Sequence, residues 1–518
     1  MMANRFTMPR YVTGIRCAPL ARAVVAVTVL AVGGELGMNT AFSQGRRRPG
    51  LDSTPAPRSA ADLTNAEPAE EIDAEHKAVD EANQRGEYTE VVRLASILIA
   101  KDEKDYFALH LRASAKIELG RQSRDMRSVR EGVADARAAL GIAGKKAVWL
   151  FIPYLYGMTT LAELESRPEH AKVGIDVITP VLARTDLAPA DRANLLYQRG
   201  LAYFTRREIE TALVDFNAAL AAVSTHVGAL IKIGEAYAAL NKPDEALKAY
   251  DRAATAVPDN IVILNDRGAY RRFRGNLQGA VEDFSKCLEI NPNFAMGYLN
   301  RGITLCDLGQ YEGAESDLTK ALESKVQPHL VHRLRGTARM GRGLTTQGLA
   351  DYTAAIELAP AYAVAYEDRG VAKLILKDFA GAADDFREAI KQAPQQANSY
   401  LWLSLALGRA GNAGESITTL EPVIKKSVPS AEWVLALAQY LQGTIDEAAL
   451  REAVKVGPEA ALKARTCEAE FFVGQKKLMA GETAGAAENF KQAVATGASL
   501  LSAHRVARYE TGDVKPAP

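Results

Sequence analysis

VGALIKIGEAYAALNKPDEALKAYDRAATAVPDN, residues Val227–Asn260, is one turn of a longer cycle. Counted from Val227, Gly234 is position 8 of 34. Glycine returns at that position as Gly200, Gly234, Gly268, Gly302, Gly336 and Gly370, always 34 residues apart. A single globular core has no reason to keep such a count over six cycles, whereas a stack of like helix pairs does. The period moves the functional question from which reaction to which partner.

Other positions repeat with the glycine. The Val227 unit has Leu230 at position 4, Tyr237 at 11, Ala246 at 20, Tyr250 at 24, Ala253 at 27 and Pro258 at 32. The next unit has Leu264, Gly268, Ala280, Phe284, Cys287 and Pro292, and a later one Tyr366, Gly370, Ala382, Phe386, Ala389 and Pro394. Small residues at 8 and 20 let two antiparallel helices approach, and large apolar ones fill the space beside them. Proline at 32 stops the second helix. These residues resemble the tetratricopeptide repeat. The resemblance implies an all-α fold, a right-handed α-solenoid of antiparallel helix pairs, here about eleven of them, with no catalytic site of its own.

The expected layout is a signal peptide over 1–43, a disordered tether over 44–74 and degenerate helix pairs over 75–192. Six strict units fill 193–396, degenerate units and a cap fill 397–510, and 511–518 is a disordered tail. Ser404 takes the glycine's place in the unit after Gly370. The leader is read from Arg5, Arg10, Arg16 and Arg22, the apolar run AVVAVTVLAVGG, and small residues Ala41 and Ser43 before a cut after Ser43. An uncleaved anchor is the alternative, although the run is short of the roughly 20 residues that a membrane span needs. An exported, periplasmic location is therefore expected, with membrane contact only if the leader is kept.

Position 7 is arginine in five of the six strict units: Arg199, Arg267, Arg301, Arg335 and Arg369. Each of those units has aspartate at position 23: Asp215, Asp283, Asp317, Asp351 and Asp385. The unit with Ile233 has Ala249 there, so the two characters switch together. Positions 7 and 23 face each other across the hairpin turn. A ladder of Arg–Asp pairs within repeats is expected, bidentate and setting register more than adding stability.

Composition excludes little but points away from nucleic acid. The chain carries 63 basic and 63 acidic residues, so no basic excess is available for phosphates. GIAGKK at 141–146 lacks the phosphate-loop pattern, and no HExxH, CxxC or nucleophile elbow occurs. His329 and His332 have no further ligands at useful spacing, so neither a metal nor a small-molecule cofactor is expected. After removal of the leader with Cys17, Cys287, Cys306 and Cys467 remain; they read as small core residues, with a Cys287–Cys306 disulfide as the alternative.

The remaining candidate site is the face lined by the first helices. The repeat resemblance places Lys232, Asn265, Arg272, Phe273, Asn300, Arg333, Met340, Glu367 and Trp402 on it, a polar and apolar mixture suited to a protein or peptide. Asn300 matches one position of the carboxylate-clamp repeats, but Ile303 and Leu334 stand where its partners belong, so no clamp is expected. The segment Cys467–Gly497 resembles the closing repeat of periplasmic adaptor lipoproteins of murein endopeptidases, although no lipid-attachment cysteine follows the apolar run. The leading expectation is a non-catalytic exported scaffold that holds protein or peptide partners in its groove. The alternatives are a structural subunit of an envelope secretion, pilus or polysaccharide-export complex, and a regulatory or substrate-delivery subunit of an envelope hydrolase.

Overall fold

The computed structural model describes residues 74–144, 147–456, 461–498 and 501–515. The expected leader, nearly all of the tether and residues 516–518 of the tail lie outside the described residues. Among the described residues there are helices and turns but no strand. Two compact units divide in sequence between Gly297 and Tyr298.

The first unit contains α1–α2 (Ala74–Gln84, Tyr88–Lys101), α3–α4 (Tyr106–Ser123, Met126–Ala143) and α5–α6 (Phe151–Leu164, Pro168–Leu182). It continues with α7–α8 (Pro189–Thr205, Ile209–Ala222), α9–α10 (Val227–Ala239, Pro243–Ala256) and α11–α12 (Ile261–Phe273, Leu277–Ile290). The pair α13–α14 (Ala295–Asp307, Tyr311–Glu323) opens the second unit, its first helix straddling the division. Then come α15–α16 (Pro328–Gly341, Thr345–Leu358) and α17–α18 (Ala363–Ile375, Phe379–Gln392). Helix α19 (Ala397–Arg409) has a partner broken into α20 (Ala413–Thr418) and α21 (Glu421–Ile424). The pairs α22–α23 (Glu432–Gln442, Glu447–Lys455) and α24–α25 (Leu462–Met479, Thr483–Ala495) follow, and α26 (Ser502–Glu510) closes the chain. The described residues thus form twelve hairpins and a final helix, where about eleven hairpins were expected.

The glycine at position 8 has a sharper purpose than close helix approach. A Cβ on Gly200, Gly234, Gly268, Gly336 or Gly370 would lie 2.5–2.9 Å from the ring of Phe216, Tyr250, Phe284, Tyr352 or Phe386 respectively. The aromatic ring at position 24 of the second helix lies directly on the bare backbone of the first. Those five rings are almost completely buried, and the alanines at position 20 (Ala212, Ala246, Ala280, Ala314, Ala382) are fully so.

The hairpin turn adds a second rule. Position 15 is left-handed in every strict unit, at Arg207, Asn241, Gly275, Gly309, Gly343 and Lys377, with φ from 55° to 86°. Glycine adopts that conformation without strain, and the other three residues do so at a small penalty.

Within each unit a first helix packs on the next first helix, as α7 on α9, α9 on α11, α15 on α17 and α17 on α19. Second helices pack instead between first helices. The first-helix side is therefore the tighter, concave side of each unit, and its side chains form the candidate site.

Candidate peptide-binding face

The arginines at position 7 anchor the inner layer. Arg199 donates from Nε and Nη2 to the two carboxylate oxygens of Asp215, both at 2.7 Å. Arg267 reaches Asp283 at 3.0 and 2.6 Å, and Arg301 reaches Asp317 at 2.7 and 2.8 Å. Arg335 reaches Asp351 at 3.0 and 2.7 Å, and Arg369 reaches Asp385 at 3.0 and 2.7 Å. All five are two-point bonds with the aspartate buried. The third donor, Nη1, extends to the preceding hairpin: Arg267 to Asp251 at 3.1 Å, Arg335 to Thr319 at 3.4 Å and Arg369 to Thr353 at 3.3 Å. These arginines therefore tie their own hairpins together and hold the ones before them. Burial pushes the Asp283 carboxyl up even with Arg267 beside it, which fits register rather than net stability as the result of pairing.

A sixth such pair lies outside the strict period. Arg112 on α3 bonds Asp135 on α4 through Nε and Nη2, both at 2.8 Å. Longer helices increase the sequence separation from 16 to 23 residues, so the 34-residue count gives no sign of it.

The first unit's inner face is polar and mostly half-buried. Lys232 on α9 bonds Glu235 at 2.6 Å and lies 5.9 Å from the Phe204 ring centroid. On α11, Asn265 is buried and donates to Asp266 across 3.3 Å. Arg272 is half-buried, and Phe273 is 44% exposed at the end of the same helix. Burial, then the charge of Glu235, push the Asp266 carboxyl up to about 7. The buried polar atoms that have no hydrogen-bond partner among the described residues include both amide atoms of Gln198 on α7 and the hydroxyl of Tyr250 on α10. The charges of Glu235 and Asp266 both act on that hydroxyl.

The second unit's inner face is largely taken up by the chain itself. Arg333 on α15 donates to the Tyr362 hydroxyl at 2.8 Å and to Asp368 on α17 at 3.0 Å. Helix α26 lies against the second helix α25 and against α17 and α24, both first helices. From α26, Arg505 donates to the other oxygen of Asp368 at 3.1 Å, and the Tyr509 hydroxyl donates to the Met340 carbonyl at 2.5 Å. Met340 is thereby buried. Glu367 accepts from the Ser399 hydroxyl. Trp402 stacks on Phe386 and packs on Phe471 and Phe472. Asn300 stays half-buried on α13. Of the residues placed on the face by sequence, Arg333, Met340, Glu367 and Trp402 are thus engaged within their unit. Sequence reading did not single out Asp266, Glu235, Asp368 or Arg505.

Family profiles described as tetratricopeptide repeat match residues 197–261, 333–397 and 403–461, and a second such profile matches 284–316. These stretches of the chain are tetratricopeptide repeats. No curated protein matches it. Among solved structures, a tetratricopeptide repeat protein from Parabacteroides merdae is 19% identical, covering 50% of this chain and 99% of that one, with a TM-score of 0.38. PilW, described as a type IV pilus biogenesis factor, is 17% identical over 42% of this chain and 97% of its own, TM-score 0.38. MamA from Desulfovibrio magneticus is 22% identical over 33% and 96%, TM-score 0.31.

The described residues of this repeat protein hold no cluster of three or more metal-ligating side chains. His332 bonds Asp351 at 2.9 Å, while His329 stands edge-on to Tyr362. Cys287, Cys306 and Cys467 are buried thiols, not disulfides, and burial raises the Cys467 thiol to about 11. No helix among the described residues is long and apolar enough to cross a membrane.

Proposed function

We propose that this protein is a non-catalytic exported adaptor that holds a segment of a partner protein against the inner face of its first unit. The observation that carries this is the contrast between the two inner faces. In the second unit, α26 already lies against α17 and reaches Met340 of α15 through Tyr509, and Arg333, Met340 and Trp402 are engaged. In the first unit the corresponding surface of α7, α9 and α11 presents Lys232, Glu235, Asp266 and Phe273, with only neighbouring hairpins packed against it among the described residues. Polar groups beside an exposed aromatic suit a segment that needs both side-chain pockets and hydrogen bonds. The location outside the cytoplasm rests on the leader-like pattern of residues 1–43.

Affinity capture from periplasmic extract tests this reading. Arg272→Glu and Phe273→Glu should each reduce recovery of the captured partner at least tenfold. Val214→Glu, at a residue 68% exposed on the second helix α8, should leave it unchanged. Equal recovery by all three proteins would remove the inner face from the function. Arg333→Glu is not a clean probe, because Arg333 bonds Asp368 and Tyr362 internally.

A further inference from the structure

The two units contain two versions of one local arrangement, three repeats apart, and only one of them receives an arginine. In the second unit it consists of Tyr352 at position 24, Thr337 at position 9 and Asp368 at position 6 of the next repeat. In the first unit the same positions hold Tyr250, Glu235 and Asp266.

The two hydroxyls and the carboxylate of the second-unit version all have partners. The hydroxyls of Tyr352 and Thr337 share a hydrogen bond of 3.2 Å. Asp368 holds two guanidinium groups, one oxygen each: Arg333 at 3.0 Å and Arg505 at 3.1 Å. Arg505 is delivered by α26, a helix lying on the first-helix face. The fold therefore shows a position-6 aspartate receiving an arginine from a helix that docks on the inner face.

The first-unit version lacks those partners. Ile231 stands where Arg333 does. Asp266 forms no ion pair among the described residues, and its one hydrogen bond there is the long contact from Asn265. Glu235 turns to Lys232, so the Tyr250 hydroxyl, fully buried, has no partner among the described residues. Two carboxylates face one lysine, which leaves the cluster one positive charge short. Burial pushes the Asp266 carboxyl up to about 7, as expected for a carboxylate without its counter-ion.

We propose that Asp266, with Glu235, is a subsite for an arginine side chain carried on a helix of the partner protein, in the manner in which Asp368 holds Arg505. In the same register, a tyrosine four residues after that arginine would lie over the carbonyl of Ala238, as Tyr509 lies over that of Met340. Arginine suits the subsite better than lysine because its planar fork bonds both carboxylates at once. The proposal rests on the binding-face reading above and adds the chemistry of the ligand.

A fluorescein-labelled peptide with the sequence of Leu501–Gly512, LSAHRVARYETG, serves as the probe. It is titrated into the full chain by fluorescence anisotropy. Exchange with α26 is suppressed because α26 is tethered, at an effective concentration of order millimolar. The expected result is saturable binding that weakens at least tenfold with Asp266→Asn in the protein, and at least tenfold with Arg505→Ala in the peptide. Circular dichroism checks that the Asp266→Asn protein is folded. If Asp266→Asn binds like the wild type while Phe273→Glu does not, the arginine subsite is wrong and the binding face stands. If neither change affects binding, the binding face fails as well. No saturation up to 1 mM peptide (about −4 kcal/mol) overturns the subsite.

Discussion

At the scale of single residues, what surrounds each glycine decides its effect. A Cβ on Gly268 would be 2.8 Å from Phe284 and 3.1 Å from the Asp283 side chain. Gly268→Ala should therefore destabilise by about 2 kcal/mol in urea unfolding, overpacking outweighing the gain in helix propensity. Gly141 is also helical, and a Cβ added there would meet nothing within 4 Å. Gly141→Ala should stabilise by about 0.5–1 kcal/mol. The same sign at both sites would contradict the ring-on-glycine account. Asp266 gives a pH-dependent case. Its folded carboxyl titrates at about 7, above the ordinary value of roughly 4. The folded chain then holds the proton more tightly than the unfolded chain, so stability falls as pH rises between those values. Asp266→Asn should gain thermal stability relative to wild type from pH 5 to pH 8; a constant Tm difference would refute the shift. The glycine at position 8 was plain in the sequence, but the ring it receives needed coordinates, because periodicity gives spacing and not side-chain direction.

At the scale of the hairpin, the Arg–Asp pairs set how two helices register. They were legible because arginine at 7 and aspartate at 23 change together from unit to unit. Arg112–Asp135 was not, since longer helices move its partners off the count. Because Asp317 is buried and Arg301 mostly so, replacing one partner leaves a stranded charge. Arg301→Leu or Asp317→Leu alone should cost about 3–5 kcal/mol, and the double replacement less than either. Unfolding of the three variants forms a double-mutant cycle. A double variant less stable than both singles would show that the pair adds stability beyond register.

At the scale of each unit, the inner face could be read from the repeat pattern, but not how much of it the chain uses itself. Arg505 reaches Asp368 across 137 residues and Tyr509 reaches Met340 across 169, separations that no repeat period encodes. Removing residues 501–518 should uncover Met340, Tyr352 and Ala372, which now cluster with Tyr509. The truncated chain should melt earlier and bind a hydrophobic dye; unchanged melting would make α26 a dispensable appendage. The most direct test of the whole account is photocrosslinking in the periplasm from a photoreactive residue placed at Phe273 or at Val214. The account predicts a partner adduct from Phe273 that Arg272→Glu abolishes, and none from Val214. Adducts from Val214 alone would put the binding surface on the opposite side and contradict it.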